Sequence, residues 1–176
     1  LLPTILSRCQ PIRFHSLPIP LVSNWLMEHR GFNEEEAHLL ASLSEGSPGK
    51  ALEIREEIDQ IPRAELLMDF VGLKSFPFEK KEGWAESLSS NRESVILILE
   101  VAKTLLRDLV MMKTLKHGSK LIHSDLSKEM EAIAPNWNLP SLLSRLEALH
   151  NTILAIRENA NMALALEAMM LSWAEG

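Results

Sequence analysis

Arg8, between Ser7 and Cys9, is the residue best suited to chemistry in this sequence. Pro3 suits the first turn of a short helix, and Pro11 prevents that helix from continuing while favouring an extended conformation for the residue before it. The two prolines therefore predict a turn at Arg8, between a short helix and a short strand, from which the side chain can reach outward. A guanidinium group is planar and permanently charged, so it can hold two phosphate oxygens in a way that a lysine ammonium cannot match.

The cysteine and the histidines offer no comparable site. Cys9 is interpreted as a small buried apolar residue rather than a nucleophile. Ser7, Cys9 and His15 lie close in sequence, but they do not define a nucleophile with a base and an orienting group. The histidines are scattered and lack the spacing of zinc ligands, so no metal ligand is assigned. They occupy positions 15, 29, 38, 117, 123 and 150.

A GSPGK sequence at residues 46–50 invites comparison with the phosphate-binding loop of nucleotide-binding proteins. That loop needs four residues between its glycines and a Ser or Thr after its lysine. Here two residues separate the glycines, and Ala51 follows the lysine. A Ser that caps a helix, followed by Pro at the first helical position, explains the same residues. We therefore predict no nucleotide or other cofactor, and no enzymatic activity of the chain on its own.

The composition predicts a helical globular protein. Hydrophobic residues make up 46% and charged residues 24% of the 176 positions, and tyrosine is absent. Leu, Ala, Met, Glu and Ile are plentiful, which favours helices over sheets. The net charge of −6 argues against binding to nucleic acid without a partner, because such binding requires a positive surface.

The sequence also predicts a cytoplasmic protein without a membrane partner. Its single cysteine cannot form an internal disulfide, so nothing indicates an oxidising compartment. No apolar run is as long as a membrane span, and no secretory signal is recognisable.

Helix signals predict a small three-helix unit over residues 15–58. Gly31 suits the left-handed position that follows a helix. Asn33 is predicted to cap the second helix, with Glu36 completing a capping box. Ser47 is predicted to cap the third helix.

The residues from 62 to 176 are predicted to form an antiparallel bundle of about five helices, after a linker at residues 60–62. Its strongest helix is predicted to begin at a capping box of Ser90 and Glu93 and to end at Gly118. The predicted fold class is therefore all-α. The other helices are predicted over 63–71, over 124–134, from 140 to an interruption at 159–161, and from a cap at Asn161 onward, while 74–90 has no assigned structure.

Apolar spacing predicts one apolar seam, as in a coiled coil, on the first of the last two helices and an apolar side on the second. Around residues 95–112 and 162–173 we expect more apolar surface than the bundle can bury, which is typical of a partner site. The seam residues are Leu142, Leu146, Leu149, Ile153 and Ile156 on one helix, and Met162, Leu166, Met169, Met170 and Trp173 on the other.

Four segments of the chain resemble the clamp-loader subunits of bacterial DNA polymerase III. LLPTILSRCQPIRF, residues 1–14, resembles the end of their nucleotide-binding domain, with its Ser-Arg-Cys motif. GSPGKAL, residues 46–52, lies where these subunits carry their second sensor motif. LLRDLVMMK, residues 105–113, and NANMALALEAMML, residues 159–171, resemble the first long helix and the last helix of their collar.

The resemblance implies three parts. Residues 1–14 would be the tail of a missing N-terminal nucleotide-binding domain, residues 15–58 a small helical lid domain, and residues 62–176 the helical collar, an oligomerisation domain. The chain opens on Leu1, and we interpret it as the C-terminal part of a longer protein.

The residue at position 49 implies which type of subunit this is. The family's sensor motif reads Gly-Ser-x-Arg-Asp-Ala-Leu, and Gly49 replaces the arginine that touches ATP. Subunits of the delta-prime type carry the Pro-Gly version, and the resemblance to them implies a stator that does not hydrolyse ATP.

The implied role is in DNA replication, within a complex that belongs to a DNA-directed DNA polymerase. The stator would join gamma or tau and delta-type subunits through its collar and complete a five-membered ring. The motif of Ser7, Arg8 and Cys9 would offer Arg8 in trans to the ATP of a neighbouring subunit. Through the complex, the ring would open the sliding clamp and place it on primer-template DNA.

Two alternatives remain open. The chain could be the C-terminal part of an ATP-hydrolysing clamp-loader subunit, which an intact phosphate-binding loop upstream would indicate. It could also be an unrelated helical scaffold that binds partner helices, which stable homo-oligomers would favour.

Overall fold

The computed structural model describes residues 8, 10, 15–72, 91–115 and 121–175. All regular secondary structure in these ranges is helical, so the predicted all-α fold class is confirmed. None of the helices found there is long and apolar enough to cross a membrane. The α-helices are α1 Ile19–Arg30, α2 Glu34–Leu43, α3 Pro48–Glu53, α4 Arg55–Gln60, α5 Arg63–Gly72, α6 Arg92–Thr114, α7 Ser127–Ile133, α8 Leu139–Arg157 and α9 Met162–Glu175.

The caps confirm the predicted end of α1 and the predicted starts of α2 and α3. Gly31 follows α1 with φ 72°, the left-handed conformation that glycine adopts without strain. The Asn33 Oδ1 accepts a hydrogen bond from the N–H of Glu36 at 2.8 Å, and the Ser47 Oγ accepts one from the N–H of Lys50 at 3.3 Å. The Glu36 carboxylate accepts from the Arg55 side chain, so only the Asn33 half of the predicted capping box is seen.

A fourth helix begins within residues 15–58, where three were predicted. The chain bends at Ile54, so α3 ends at Glu53 and α4 begins at Arg55. Ile54 and Ile58 are buried, which anchors both short helices against the core. Only Ile61 and Pro62 separate α4 from α5, at the place of the predicted linker.

The long helix α6 differs from its predicted boundaries at both ends. Its N-cap is Asn91, whose Oδ1 accepts from the N–H of Glu93 at 3.0 Å, so the predicted cap at Ser90 is wrong. Asn is as good a cap as Ser, and a sequence offering both in a row does not determine which is used. The helix ends at Thr114, not Gly118, and Leu115 is already extended. The 23 residues of α6 span about 35 Å at 1.5 Å each.

The helices α6 and α8 pack side by side in opposite directions. Arg92, at the start of α6, donates a hydrogen bond to the carbonyl of Ile156, near the end of α8. Lys113, at the end of α6, donates to the carbonyl of Ala134 at 2.7 Å, just before α8 begins. A short turn then reverses the chain into α9, and the Asn161 Oδ1 accepts from the N–H of Leu164 at 3.1 Å, which confirms the predicted cap.

Both predicted apolar seams face the core. All of their members are buried except Leu146 and Met162, which are partly buried. Each fully buried Leu or Ile side chain contributes about 1.5–3 kcal/mol, so these seams are a major source of the bundle's stability. The core is filled further by apolar residues of α6, including Val95, Leu99, Leu105 and Leu109.

Two predicted segments fall partly or wholly outside the described residues. These are the short helix and strand of residues 1–14, of which only Arg8 and Gln10 are described, and the unassigned segment 74–90. The helix predicted over 124–134 is seen as a 3₁₀ turn at Ser124–Leu126 followed by α7.

Candidate functional site

Arg8 is exposed and lies in a turn, as the flanking prolines predict. Its motif neighbours Ser7 and Cys9 lie outside the described residues. The exposed position leaves the guanidinium accessible to solvent and to a second protein.

The GSPGK segment is a turn followed by a helix cap. Gly46 has φ 82°, and its carbonyl accepts a hydrogen bond from the N–H of Leu17 at 3.0 Å. A Cβ at position 46 would lie 2.6 Å from both the N and the O of Leu17, so this close approach requires glycine. Ser47 then caps α3. The capping interpretation of Ser47 is therefore confirmed.

Gly49 lines a cleft of about 520 Å³ between α3 and α4 on one side and the first half of α6 on the other. We call it the Gly49 cleft. Its apolar lining consists of Leu43, Ile54, Ile96 and Leu97. Its charged lining consists of five carboxylates, Glu45, Glu53, Glu57, Glu93 and Glu100, and two cations, Lys50 and Arg157.

The two cations of the Gly49 cleft are held by ion pairs. Arg157 pairs with Glu45 and, at 3.2 Å, with Glu100, while Lys50 pairs with Glu45 at 3.1 Å. Burial acts to raise the pKa of Glu45, but hydrogen bonds from Arg157 and Lys50 outweigh it and hold that pKa below its ordinary value. The pairs join the turn before α3 to the end of α8 and to α6.

A second polar cluster centres on His123, which is fully buried. Its Nε2 lies 2.8 Å from the Thr104 Oγ1, and its Nδ1 lies 3.1 Å from the Arg63 Nη1. Because the Thr104 hydroxyl donates to the carbonyl of Val101 at 2.7 Å, it accepts from His123, which assigns the proton to Nε2 and leaves Nδ1 to accept from Arg63. Burial lowers the pKa of His123 to about 3, so the ring is neutral near pH 7.

Asp108 fixes the backbone of the same segment. It is 0% exposed, its Oδ2 accepts from the backbone N–H of His123 at 2.8 Å, and its Oδ1 accepts from Arg107 at 2.6 Å. Burial raises the pKa of this carboxyl, although hydrogen bonds from His123 and Arg107 act in the opposite direction. Both nitrogens of His123 and both oxygens of Asp108 are therefore engaged within the core, which fixes the segment around residue 123 against α6.

Arg145 is stacked between two indole rings in the bundle. Its guanidinium carbon lies 4.3 Å from the ring centroid of Trp137 and 4.9 Å from that of Trp173. Burial lowers the pKa of Arg145 to about 10, so the side chain remains charged at neutral pH. Trp173 belongs to a predicted seam and is buried, and Trp137 is buried beside it, whereas the spacing of apolar residues does not predict a charge between them.

The described residues contain no group of three or more His, Cys, Asp or Glu side chains that could hold a metal ion. Of the six histidines, His117 lies outside the described residues.

Exposed leucines lie on the outer faces of α8 and α9. Leu143 and Leu154 on α8 are 49% and 42% exposed, and Leu164 and Leu171 on α9 are 63% and 48% exposed. The expectation of surplus apolar surface is thus confirmed on α9. On α6 it is wrong, because the described apolar residues from 95 to 112 are buried or partly buried.

No protein-family model matches this chain, and a search of characterised proteins finds no match to it.

Proposed function

We propose that the protein is a delta-prime-type subunit of the bacterial DNA polymerase III clamp loader, represented by its lid and collar regions. In this proposal it is cytoplasmic and does not hydrolyse ATP. It joins gamma or tau and delta-type subunits through residues 62–176 and donates Arg8 to a neighbour's ATP. The ring then loads the sliding clamp on primed DNA.

The observation that carries the proposal is the exposed apolar face of the last helix. Leu164 and Leu171 lie one above the other on the solvent side of α9, within the segment that resembles the last collar helix. Exposed apolar surface of this kind is typical of a contact with another protein, and obligate interfaces are built from it.

The charges around Gly49 support a subunit that does not hydrolyse ATP. The Gly49 cleft carries five carboxylates and two cations, and both cations are already paired with Glu45 or Glu100. A triphosphate approaching this side of the molecule would be repelled, and no arginine is present at position 49 to hold it.

The exposure of Arg8 supports its proposed use by a neighbouring subunit. An arginine supplied in trans stabilises the charge that develops on the transferring phosphoryl group and accelerates hydrolysis by about 10³–10⁵-fold where this has been measured. An exposed arginine within one protein contributes little to stability, about 0–1 kcal/mol. Removal of Arg8 should therefore lower ATP hydrolysis if the residue acts on a neighbour's ATP, and should lower only the stability of this protein slightly if its role is structural.

Reconstitution with gamma or tau, delta-type subunit and clamp tests the proposal. The full-length protein carrying Arg8→Ala should fold and enter the ring normally, while clamp- and DNA-stimulated ATP hydrolysis at one site falls by about 10³-fold or more. Arg8→Lys should restore little of it, because an ammonium lacks the planar fork.

Two results would contradict the proposal. One is wild-type protein that does not enter the ring, above all if it forms homo-oligomers, which would favour the helical scaffold. The other is normal ATP hydrolysis by the ring that contains Arg8→Ala. A thermal melt of the variant alone serves as the folding control.

A further inference from the structure

The Gly49 cleft is open to solvent and has an apolar floor. Leu43, Ile54 and Leu97 are buried at its base, and Ile96 is partly buried beside them. A volume of about 520 Å³ lies in the range of sites that bind small molecules or several side chains of a peptide. An apolar side chain placed on this floor would leave water, which is favourable.

The rim of the cleft carries carboxylates that are not neutralised within the described part of the chain. Glu45 and Glu100 form ion pairs with Arg157, Lys50 and Lys103. By contrast, the rim carboxylates of Glu53, Glu57 and Glu93 have no hydrogen-bond or ion-pair partner there. All three of these residues are exposed, so their charges face any molecule that enters the cleft.

Gly49 leaves one wall of the cleft without a side chain. A Cβ built at this position would meet only the Ser47 Oγ, at 3.8 Å, which is ordinary van der Waals contact. A larger residue at position 49 therefore has room to stand in the cleft, and the wild-type glycine keeps that room free.

We propose that the Gly49 cleft is a docking site for a short basic segment of a partner protein, one that carries large apolar side chains between lysines or arginines. The three carboxylates that have no partner among the described residues are complementary to the cations, and the apolar floor is complementary to the side chains between them. A small polyamine would satisfy the carboxylates and leave the floor uncovered. An acidic or neutral apolar helix would cover the floor and leave the carboxylates without partners. This inference does not depend on the clamp-loader proposal.

Fluorescence anisotropy with labelled hexapeptides tests the site on the whole chain. The probe KKLWKK should bind, and KKAAKK should bind about tenfold more weakly because it lacks the apolar side chains. The acidic EELWEE should not bind. Raising the salt concentration should weaken the binding of KKLWKK, because the charges on the rim are exposed to solvent and are screened.

Two sets of variants test whether KKLWKK binds in the cleft. The triple change Glu53→Gln, Glu57→Gln and Glu93→Gln should weaken KKLWKK binding about tenfold, since each exposed pair contributes only modestly. A matched triple change at exposed glutamates elsewhere should leave binding unchanged at equal net charge. The control positions are Glu28, Glu131 and Glu158.

Gly49→Arg gives a test that removes no carboxylate. The new guanidinium should stand in the cleft, pair with the rim and weaken KKLWKK binding by a similar factor. Asn24→Arg adds the same charge at an exposed position of α1 and should bind as the wild type does. Thermal melts of both variants check that the fold is intact.

Four outcomes would overturn the proposal. The wild type could fail to bind KKLWKK at millimolar peptide, or the control triple change could lose as much affinity as the rim change. Spermidine could displace the peptide completely at equal concentration, which would assign the cleft to a polyamine. Peptide binding could also appear only after Lys74, Lys80 and Lys81 are changed to Ala, which would mean that the chain's own segment occupies the cleft.

Discussion

His123 shows how a single residue in this protein is held in one protonation state by its neighbours. The ring is buried, the Thr104 hydroxyl accepts a hydrogen bond from Nε2–H, and the Arg63 guanidinium faces Nδ1. A second proton would have to enter beside that guanidinium and away from water. Both effects disfavour the imidazolium, and burial is the larger of the two.

This arrangement predicts a loss of stability in acid. The pKa of His123 is about 3 in the folded protein and about 6.5 in the unfolded chain, so the unfolded chain takes up the proton first. The stability that the neutral ring contributes is complete above pH 6.5 and is lost as the pH falls toward 3. In that window the free energy of unfolding should fall by about 1.4 kcal/mol per pH unit beyond the change caused by other groups.

Urea unfolding at pH 7.5, 6, 5 and 4 measures this slope. His123→Gln removes the titrating group and should flatten the slope, whatever its effect on stability at pH 7.5. His150→Gln, at an exposed position, should leave the slope as it is. Equal slopes for the His123 variant and the wild type would show that this ring does not cause the loss of stability in acid.

At the scale of the element, the caps explain where several helices begin and where α1 ends. Gly31, Asn33, Ser47 and Asn161 could all be predicted from the sequence, because a cap depends on residues within one turn of it. The end of α6 at Thr114 could not, since the sequence offers no Gly or Pro at that position. The contact of His123 with Thr104 joins residues far apart in sequence and could not be foreseen from spacing.

The turn before α3 predicts a ranking of glycine substitutions. Gly46→Ala places a Cβ 2.6 Å from the backbone of Leu17, so one of the two backbone segments must move. The alanine must also adopt φ 82°, which is strained for a residue with a side chain. Gly31→Ala also has a positive φ but meets no atom within 4 Å, so it should cost only about 1 kcal/mol. Gly49→Ala lies in a helix with ordinary contact and should be neutral or slightly stabilising.

Urea unfolding of the three variants checks the ranking. The free energy of unfolding should be lowest for the variant at position 46, intermediate at 31 and highest at 49. If the variant at position 46 were as stable as the one at 49, the close approach to Leu17 would not be a constraint in solution.

At the scale of the whole molecule, the last two helices of the bundle each keep two leucines on the surface. The core is continuous from α1 to α9, yet four leucines of α8 and α9 remain on the surface. The resemblance to clamp-loader subunits implies a collar in this region. The apolar periodicity of the sequence predicts the seams, but it does not distinguish a contact between two proteins from a contact within one. The exposed face is visible only once the helices are packed.

The outer face predicts a specific failure of assembly. Leu164→Glu together with Leu171→Glu adds two charges to a surface that we propose to be buried between subunits, so entry into the reconstituted ring should fall at least tenfold. Leu21→Glu, at a residue of α1 that is 55% exposed, is the matched control and should assemble normally. Analytical size exclusion of the mixed subunits measures both. Normal assembly of the double variant would place the interface elsewhere.

The stacking of Arg145 between Trp137 and Trp173 gives the molecule a built-in optical label. Two of its four indoles lie in the bundle beside a fixed cation, while Trp25 lies in α1 and is only partly buried. In the variant Trp25→Phe/Trp84→Phe, near-ultraviolet circular dichroism would follow the bundle alone. In the variant Trp84→Phe/Trp137→Phe/Trp173→Phe, tryptophan fluorescence would follow residues 15–58 alone. Comparing the two melting curves would tell whether residues 15–58 and the bundle unfold as one cooperative body or as two.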